Sequence, residues 1–195
     1  IDVEVDAPDA DQDYEIYLYN SDQNVVNRTR VEGDDTVTFD IGDMNLDAGT
    51  YVFTVQEQGS TETIHPLVVK GYDVSVDAPD SATVGDDIQV NVTLNQIDQS
   101  ATNDRVEVVV AEGDQDKSTT ATESDGQYTA TIDTSDLDVK TYDVYAIVRG
   151  DKQVLGEKVM FGVSDPQSLE LESESTSEST TESGGGGGGA GGPLP

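Results

Sequence analysis

Three aspartates near the start of the chain alternate with other residues and could supply oxygen ligands to a divalent cation. Asp9, Asp11 and Asp13 occupy every second position, as do the first ligands of a calcium-binding EF-hand loop. The bidentate glutamate that closes an EF-hand loop is replaced by Asn20, which excludes that motif. We therefore expect either a looser Ca²⁺ or Mg²⁺ site in a loop between strands or, as the alternative, hydrated surface carboxylates.

Two asparagines lie in the acceptor pattern for N-linked glycosylation. The segments are Asn27-Arg-Thr29 and Asn91-Val-Thr93, and each has the hydroxyl residue two positions after the asparagine. Asn91 and Thr93 fall on the polar face of an alternating segment, from which a glycan could project into water. Asn27 and Asn91 are the candidate modification sites if the protein is exported.

The residues that could do catalysis form no recognisable arrangement. His65 is the only histidine, and no Gly-x-Ser-x-Gly nucleophile motif accompanies it, so we expect a surface or edge histidine. The 41 acidic residues supply so many carboxylate pairs that no single pair indicates glycoside hydrolysis. Tyr17 and Tyr19 could form an aromatic platform for a sugar, or be outward-facing tyrosines placed there by strand propensity. We expect a non-enzyme with no catalytic or cofactor-binding residue.

The charge of the chain excludes several classes of partner. Its 41 acids and 9 bases give a net charge of −32 over 195 residues, so nucleic acid and anionic membrane surfaces are poor partners. There is no cysteine, which removes disulfides and thiolate chemistry. No run approaches the roughly 18 apolar residues of a membrane span. The chain begins at Ile1 rather than methionine, so we expect a processed form or a piece of a longer protein.

The acidic residues are spread evenly, which indicates adaptation to high salt. The net charge is −13 over residues 1–70, −14 over residues 71–165 and −5 beyond them. Such domains repel themselves at ordinary ionic strength, whereas molar salt shortens the Debye length to roughly 3 Å. Aspartate exceeds glutamate by 27 to 14, and lysine occurs five times. The alternative, an acidic disordered protein, conflicts with the strand pattern described next.

Alternating apolar residues predict short β-strands along most of the chain. Ile88, Val90, Val92 and Leu94, for example, alternate with polar residues, and no segment has a helical apolar stripe. An internal repeat organises these strands, because residues 2–9 match residues 73–80 at seven of eight positions. We therefore predict an all-β protein with two antiparallel β-sandwiches of six or seven strands each, at residues 1–70 and 71–165.

A second repeated element has a known physical role in such sandwiches. Leu46-Asp-Ala-Gly-Thr-Tyr51 is echoed by Leu137-Asp-Val-Lys-Thr-Tyr142, and a tyrosine here can turn its hydroxyl back onto the preceding turn as a tyrosine corner. With its Asp-Ala-Pro-Asp openings and these corners, the chain resembles the immunoglobulin-like modules of haloarchaeal surface and S-layer glycoproteins. The resemblance implies two tandem immunoglobulin-like domains over residues 1–165.

The composition changes after Asp165. Residues 168–183 contain nine serines or threonines and five glutamates, and a glycine run follows from Gly184. Such a segment cannot bury a core, so we predict that residues 166–195 form a disordered tail. It is similar to the stalk that precedes a Pro-Gly-Phe sorting motif and a membrane anchor in haloarchaeal surface proteins. A flexible interdomain linker is the alternative.

Together these features predict a structural or adhesive, extracellular module at the cell surface of a halophilic archaeon. Its expected partners are other surface-protein domains or copies of itself, and it would meet the membrane only through an anchor that this chain does not contain. The alternative is a set of accessory binding or spacer domains of a secreted haloarchaeal enzyme, such as a protease or polysaccharide hydrolase.

Overall fold

The computed structural model describes residues 1–5, 11–57 and 60–173, and every regular element within these ranges is a β-strand. Six strands belong to the first domain: β1 (Asp2–Val5), β2 (Asp13–Tyr19), β3 (Val25–Glu32), β4 (Asp35–Thr38), β5 (Gly49–Glu57) and β6 (Ser60–Val69). Ten belong to the second domain: β7 (Tyr72–Asp77), β8 (Ser81–Thr83), β9 (Asp87–Gln96), β10 (Arg105–Glu112), β11 (Gln115–Thr120), β12 (Thr122–Ser124), β13 (Gln127–Asp133), β14 (Thr141–Val154), β15 (Glu157–Val163) and β16 (Gln167–Glu172). The all-β prediction is confirmed.

The first domain packs a two-stranded sheet against a four-stranded one. The sheets have the strand orders β1-β4 and β3-β2-β5-β6, and all their pairs are antiparallel. Ile16 and Leu18 on β2 are fully buried, and Phe39 meets Phe53 edge-on at 4.9 Å between ring centroids. Period-two alternation directs these side chains to one face, and burying that face holds the two sheets together.

The second domain is larger and has two sheets of its own. One has the order β12-β13-β9-β7, and the other runs β11-β10-β14-β16-β8 with β15 also on β14. β15 and β16 lie end to end along the same edge of β14, and the Ser164 hydroxyl between them accepts the Ala146 N–H at 3.0 Å. The core consists mainly of small β-branched residues with no accessible surface: Val90, Val92, Val108, Val110, Val144 and Val148.

The two strands that share the repeated sequence have different positions in their sheets. Residues 2–9 match residues 73–80, so by sequence β1 corresponds to β7. In the structure β1 pairs with β4, which is the strand before the first tyrosine corner. The strand before the second tyrosine corner is β13, and its partner is β9. β7 pairs with β9 and not with β13. By position β1 therefore corresponds to β9. The same strand sequence serves two different places, because alternation selects a face but not a neighbour.

The prediction of a disordered tail from residue 166 onward is wrong for its first part. Residues 167–172 form β16, which pairs antiparallel with β14 and parallel with β8. Leu169 and Leu171 are buried in the second core, at 0% and 1% exposure. Because the two leucines are two positions apart in a strand, both side chains face inward. The free energy gained by burying them outweighs the preference of the surrounding glutamates and serines for a disordered, solvated chain. The second domain thus extends at least to Glu172, while residues 174–195 of the predicted tail lie outside the described residues.

Both predicted tyrosine corners are present. The Tyr51 hydroxyl donates to the Asp47 carbonyl at 3.0 Å. The Tyr142 hydroxyl accepts the Asp138 N–H at 2.9 Å and lies 3.0 Å from the Gln115 side-chain oxygen. These bonds fix the turn that leads into β5 or β14, the central strand of each larger sheet.

Candidate functional site

The structural feature that separates this chain from two independent sandwiches is the junction between its domains. β6 ends at Val69 and β7 begins at Tyr72, so Lys70 and Gly71 are the whole linker. The Gly71 N–H donates to the Phe161 carbonyl at 2.7 Å, and the Gly71 carbonyl accepts the Ile97 N–H at 2.9 Å. Both backbone groups of the linker glycine are therefore bonded to the second domain, which removes the freedom that glycine normally gives a linker.

The junction leaves no room for a side chain at Gly71. A Cβ placed there would lie 2.3 Å from the Ala101 Cβ and 2.9 Å from the Ala48 Cβ. Ala48 belongs to the tyrosine-corner turn of the first domain, yet it packs against the core of the second. Two alanines and a glycine thus bring the backbones of the domains into direct contact.

Phe161 is the aromatic side chain of the junction. It lies on β15, is half-buried, and packs against the second core. A Cβ at Gly150 would meet its ring at 2.5 Å, and one at Gly49 of the first domain would lie 4.0 Å from it. The ring therefore fills the space that two glycines leave open.

Polar contacts cross the junction at three places. The Met160 N–H donates to the Thr50 hydroxyl at 2.8 Å, and the Ala48 N–H donates to the Asp98 carboxylate at 3.3 Å. Lys152 reaches both carboxylate oxygens of Asp22 at 3.1 Å. The last contact is an exposed ion pair and contributes about 0–1 kcal/mol, so packing and backbone bonds are the main constraints.

Asp98 is held in its charged form by the loop that it caps. Its carboxylate accepts the Ser100 N–H at 2.8 Å and the Ser100 hydroxyl at 2.7 Å. The bond from the Ser100 N–H lowers the pKa of Asp98 most, and the bond from the Ser100 hydroxyl lowers it next. The bond from the Ala48 N–H adds a smaller decrease. The carboxylate thereby ties the turn of one domain to a loop of the other.

A cleft of about 630 Å³ opens beside these contacts. Four aspartates line it, but two of them are paired with lysines: Asp22 with Lys152, and Asp104 with Lys158 at 3.1 Å. Within residues 1–5, 11–57 and 60–173, no three acidic or histidine side chains come together as a metal site. Of these two ion pairs, Lys152–Asp22 crosses the junction, whereas Lys158–Asp104 lies within the second domain.

The aspartates considered as cation ligands do not form a common site in the described part of the chain. Asp13 lies beside Arg30, whose Nε donates to its Oδ1 at 3.0 Å. That hydrogen bond lowers the pKa of the Asp13 carboxyl, and the carboxylate is committed to the guanidinium. Asp11 belongs to no metal-binding group among the described residues, and Asp9 lies outside them.

The two glycosylation candidates differ in orientation. Asn91 lies on β9 between the fully buried Val90 and Val92, so its side chain points to the outer face. Asn27 pairs with the buried Leu18, so it faces the inside of the sandwich, where its amide lies 3.7 Å from the Met44 sulfur. The geometry favours Asn91 as the acceptor, because a glycan there would extend into water.

His65 lies at the surface of the first domain, and the tyrosine pair lies on the outer face of its larger sheet. His65 is exposed on the edge strand β6, with its Nε2 3.2 Å from the Thr63 hydroxyl. Tyr17 and Tyr19 are stacked at 5.8 Å between ring centroids. They pair with Thr54 and Val52, two residues buried on the outer face of the sheet. The half-buried rings therefore help to cover that face, which agrees with a structural role.

The comparisons with known proteins give no family and no relative. No protein-family model matches the chain, and no curated protein matches it significantly. Among the described residues there is no helix long and apolar enough to cross a membrane. The function is therefore inferred from the residues themselves.

The short linker could have been found in the sequence, since only Lys70-Gly71 separates two strand patterns. The part played by Phe161, 90 residues further on, could not.

Proposed function

We propose that the chain is a non-enzymatic, rigid tandem module of an exported, S-layer-like surface protein of a halophilic archaeon. The observation that carries this proposal is the junction, where Gly71 is enclosed by Ala48 and Ala101 and both of its backbone groups are bonded. A linker of this kind transmits orientation from one domain to the next. A structural spacer or an adhesive stalk needs that property.

The strand order supports an immunoglobulin-like assignment for the second domain. If β7, β9, β12 and β13 are named A, B, D and E, then the order β12-β13-β9-β7 is the ABED sheet of that fold. β10 and β14 then correspond to C and F in the opposing sheet, and Tyr142 supplies the tyrosine corner. The first domain contains the same arrangement with fewer described strands.

The charge supports the proposed habitat. The chain carries a net charge of −32, and its small cores supply only modest stability. At low salt, repulsion among the acidic groups therefore cancels a large part of that stability. Exposed ion pairs such as Lys152–Asp22 offset little of it. A protein of this composition is suited to an environment in which ions screen the acidic surface.

Fractionation of native cells with mass spectrometry of the peptides would test the proposal. We expect the peptides in the cell envelope, with Asn91 glycosylated more completely than Asn27. Recovery from the medium, joined to a catalytic region, would instead establish accessory domains of a secreted enzyme. Recovery from the cytoplasm with both asparagines unmodified would contradict both functions.

A further inference from the structure

The chain enters and leaves the second domain along two neighbouring parallel strands. β8 pairs with β16, from Ser81 beside Glu170 to Thr83 beside Glu172, and parallel strands run in the same direction. The first domain precedes β8, and the chain continues beyond Glu172. Tension along the chain therefore pulls β8 towards the first domain and β16 the opposite way, so the two strands are pulled past each other.

The points of entry and exit lie at opposite ends of the domain. β16 is antiparallel to β14 and leaves the domain beside the first residues of that strand, where the Leu171 N–H donates to the Lys140 carbonyl at 2.9 Å. The junction is near the other end of β14, because a Cβ at Gly150 would meet the Phe161 ring at 2.5 Å. The line from entry to exit therefore follows the strands.

Backbone hydrogen bonds mark both ends of the pairing between β8 and β16. The Glu170 N–H donates to the Asp80 carbonyl at 2.9 Å, and the Val84 N–H donates to the Glu172 carbonyl at 2.9 Å. The bonds of a parallel pair are evenly spaced between such ends. On the inner face Leu171 is buried, and Val84 packs against the same core. Separating the strands therefore breaks backbone bonds and exposes apolar surface in one step.

A side chain of β16 extends this connection beyond β8. Where the chain crosses from β7 to β8, the Gln167 Nε2 donates to the Ala78 carbonyl at 2.8 Å, and the Gln167 Oε1 accepts the Ala78 N–H at 3.1 Å. The amide thus takes the place of a neighbouring strand at the crossing, where the backbone of a buried residue needs partners. We name the connection between residues 78–84 and β16 the latch.

The direction of a force decides how such a connection breaks. Force along paired strands loads their bonds together, whereas force across one end of the pair loads the bonds one after another. Resistance to forced unfolding is set by the unfolding rate, which depends on the contacts that are lost in the transition state. A latch between the points of entry and exit is loaded in the more resistant of these two ways.

We propose that the latch bears the tension on the second domain, so that the domain stays folded until the latch breaks. That the chain carries tension in the cell rests on the proposed function of a surface spacer. The latch itself is tested on the purified chain, so its failure would leave the result of cell fractionation unaffected. Conversely, a cytoplasmic location would not alter the mechanical result.

Pulling on the whole chain from two directions in molar KCl tests the proposal. The chain has no native cysteine, so single cysteines can attach the handles of an optical trap at exposed positions. Lys70→Cys with Ser173→Cys pulls the strands past each other, whereas Asp86→Cys with Ser173→Cys pulls them apart from one end. At equal force we expect the second domain to survive on the order of tenfold longer, or more, in the first geometry.

A metal clamp tests whether the latch breaks in the transition state. Ser81→His with Glu170→His places two imidazoles, which are good Ni²⁺ ligands, side by side on exposed positions of the latch. The control is Gln89→His with Thr131→His, an exposed pair of neighbours on β9 and β13. Ni²⁺ at 100 times its dissociation constant should raise the folding equilibrium constant about 100-fold in both variants.

The two clamps should differ under tension in the first geometry. We expect Ni²⁺ to lengthen the lifetime of the domain about 100-fold with the clamp on the latch and less than about twofold with the control, since β9 and β13 are still paired when the latch breaks. Equal lifetimes in the two pulling geometries would overturn the proposal. So would a control clamp that lengthens the lifetime as much as the clamp on the latch, because the domain would then break as a unit.

Discussion

Replacing Gly71 by alanine should loosen the connection between the two domains. The new Cβ would lie 2.3 Å from the Ala101 Cβ and 2.9 Å from the Ala48 Cβ, whereas non-bonded carbons settle at about 3.5–4.0 Å. Gly71 does not have a positive φ, so alanine brings no backbone strain and the effect is steric. Ala101 is buried in the second domain, so the nearer contact cannot be relieved without moving a loop of its core.

The size of the effect follows from these distances. The two closest carbons must separate by more than about 1 Å, and overpacking of this kind costs about 1–3 kcal/mol. Part of that strain falls on the second domain and lowers its free energy of unfolding. The remainder is relieved by displacing Ala48, and with it the first domain, so the range of interdomain orientations should widen.

Two measurements in molar KCl separate these effects. Denaturant unfolding gives the loss of stability, and spin labels at Thr36→Cys and Glu123→Cys give the interdomain distance distribution, since the chain has no native cysteine. Gly42→Ala is the matched control, because its Cβ would meet its nearest neighbour at 3.6 Å. A Gly71→Ala protein with the stability and distance distribution of the control would refute the account of a sterically locked junction.

Further predictions concern the core, the tyrosine corner, the junction and the charge. Leu169→Ala, at a site with no exposure, should cost about 2–5 kcal/mol in denaturant unfolding, whereas Leu155→Ala, at 63% exposure, should change stability by less than about 0.5 kcal/mol; equal effects would mean that β16 does not belong to the second core. Tyr142→Phe should cost about 1–3 kcal/mol in the same assay, because the Asp138 N–H loses its acceptor, and an unchanged midpoint would contradict the corner's role. In a carboxyl NMR titration the pKa of Asp98 should lie below its ordinary 3.8 and rise in Ser100→Ala; the contacts of this carboxylate therefore stabilise the junction above pH 3.8 and are lost as the pH falls through the lowered pKa, and an unshifted pKa would disprove the cap. Raising KCl from about 0.1 M to 1 M should increase the thermal midpoint, since the Debye length falls from about 10 Å to 3 Å, and a falling midpoint would argue against salt adaptation.

The sequence alone determined the elements and their faces. Alternation at Val90 and Val92, and at Ile16 and Leu18, marks inward positions because a strand has a period of two whatever its neighbours are. Tyr51 was equally predictable, since its hydroxyl bonds to a residue only four positions earlier. Both kinds of feature depend on contacts between residues that are close in the chain, and such contacts can be predicted from the spacing of those residues.

Only the tertiary structure decided which strand lies beside which. The repeated Asp-Val-x-Val sequence predicted equivalent places for β1 and β7, yet the two strands have different partners, because period two specifies a face and leaves the neighbour to long-range packing. Leu169 and Leu171 looked like part of a polar tail until β14 and β8 supplied the edges that bury them. Gly71 was visible as a linker residue, but its confinement needs Ala48, Ala101 and Phe161. These residues come from separate parts of the chain, so no local spacing pattern could show that they meet.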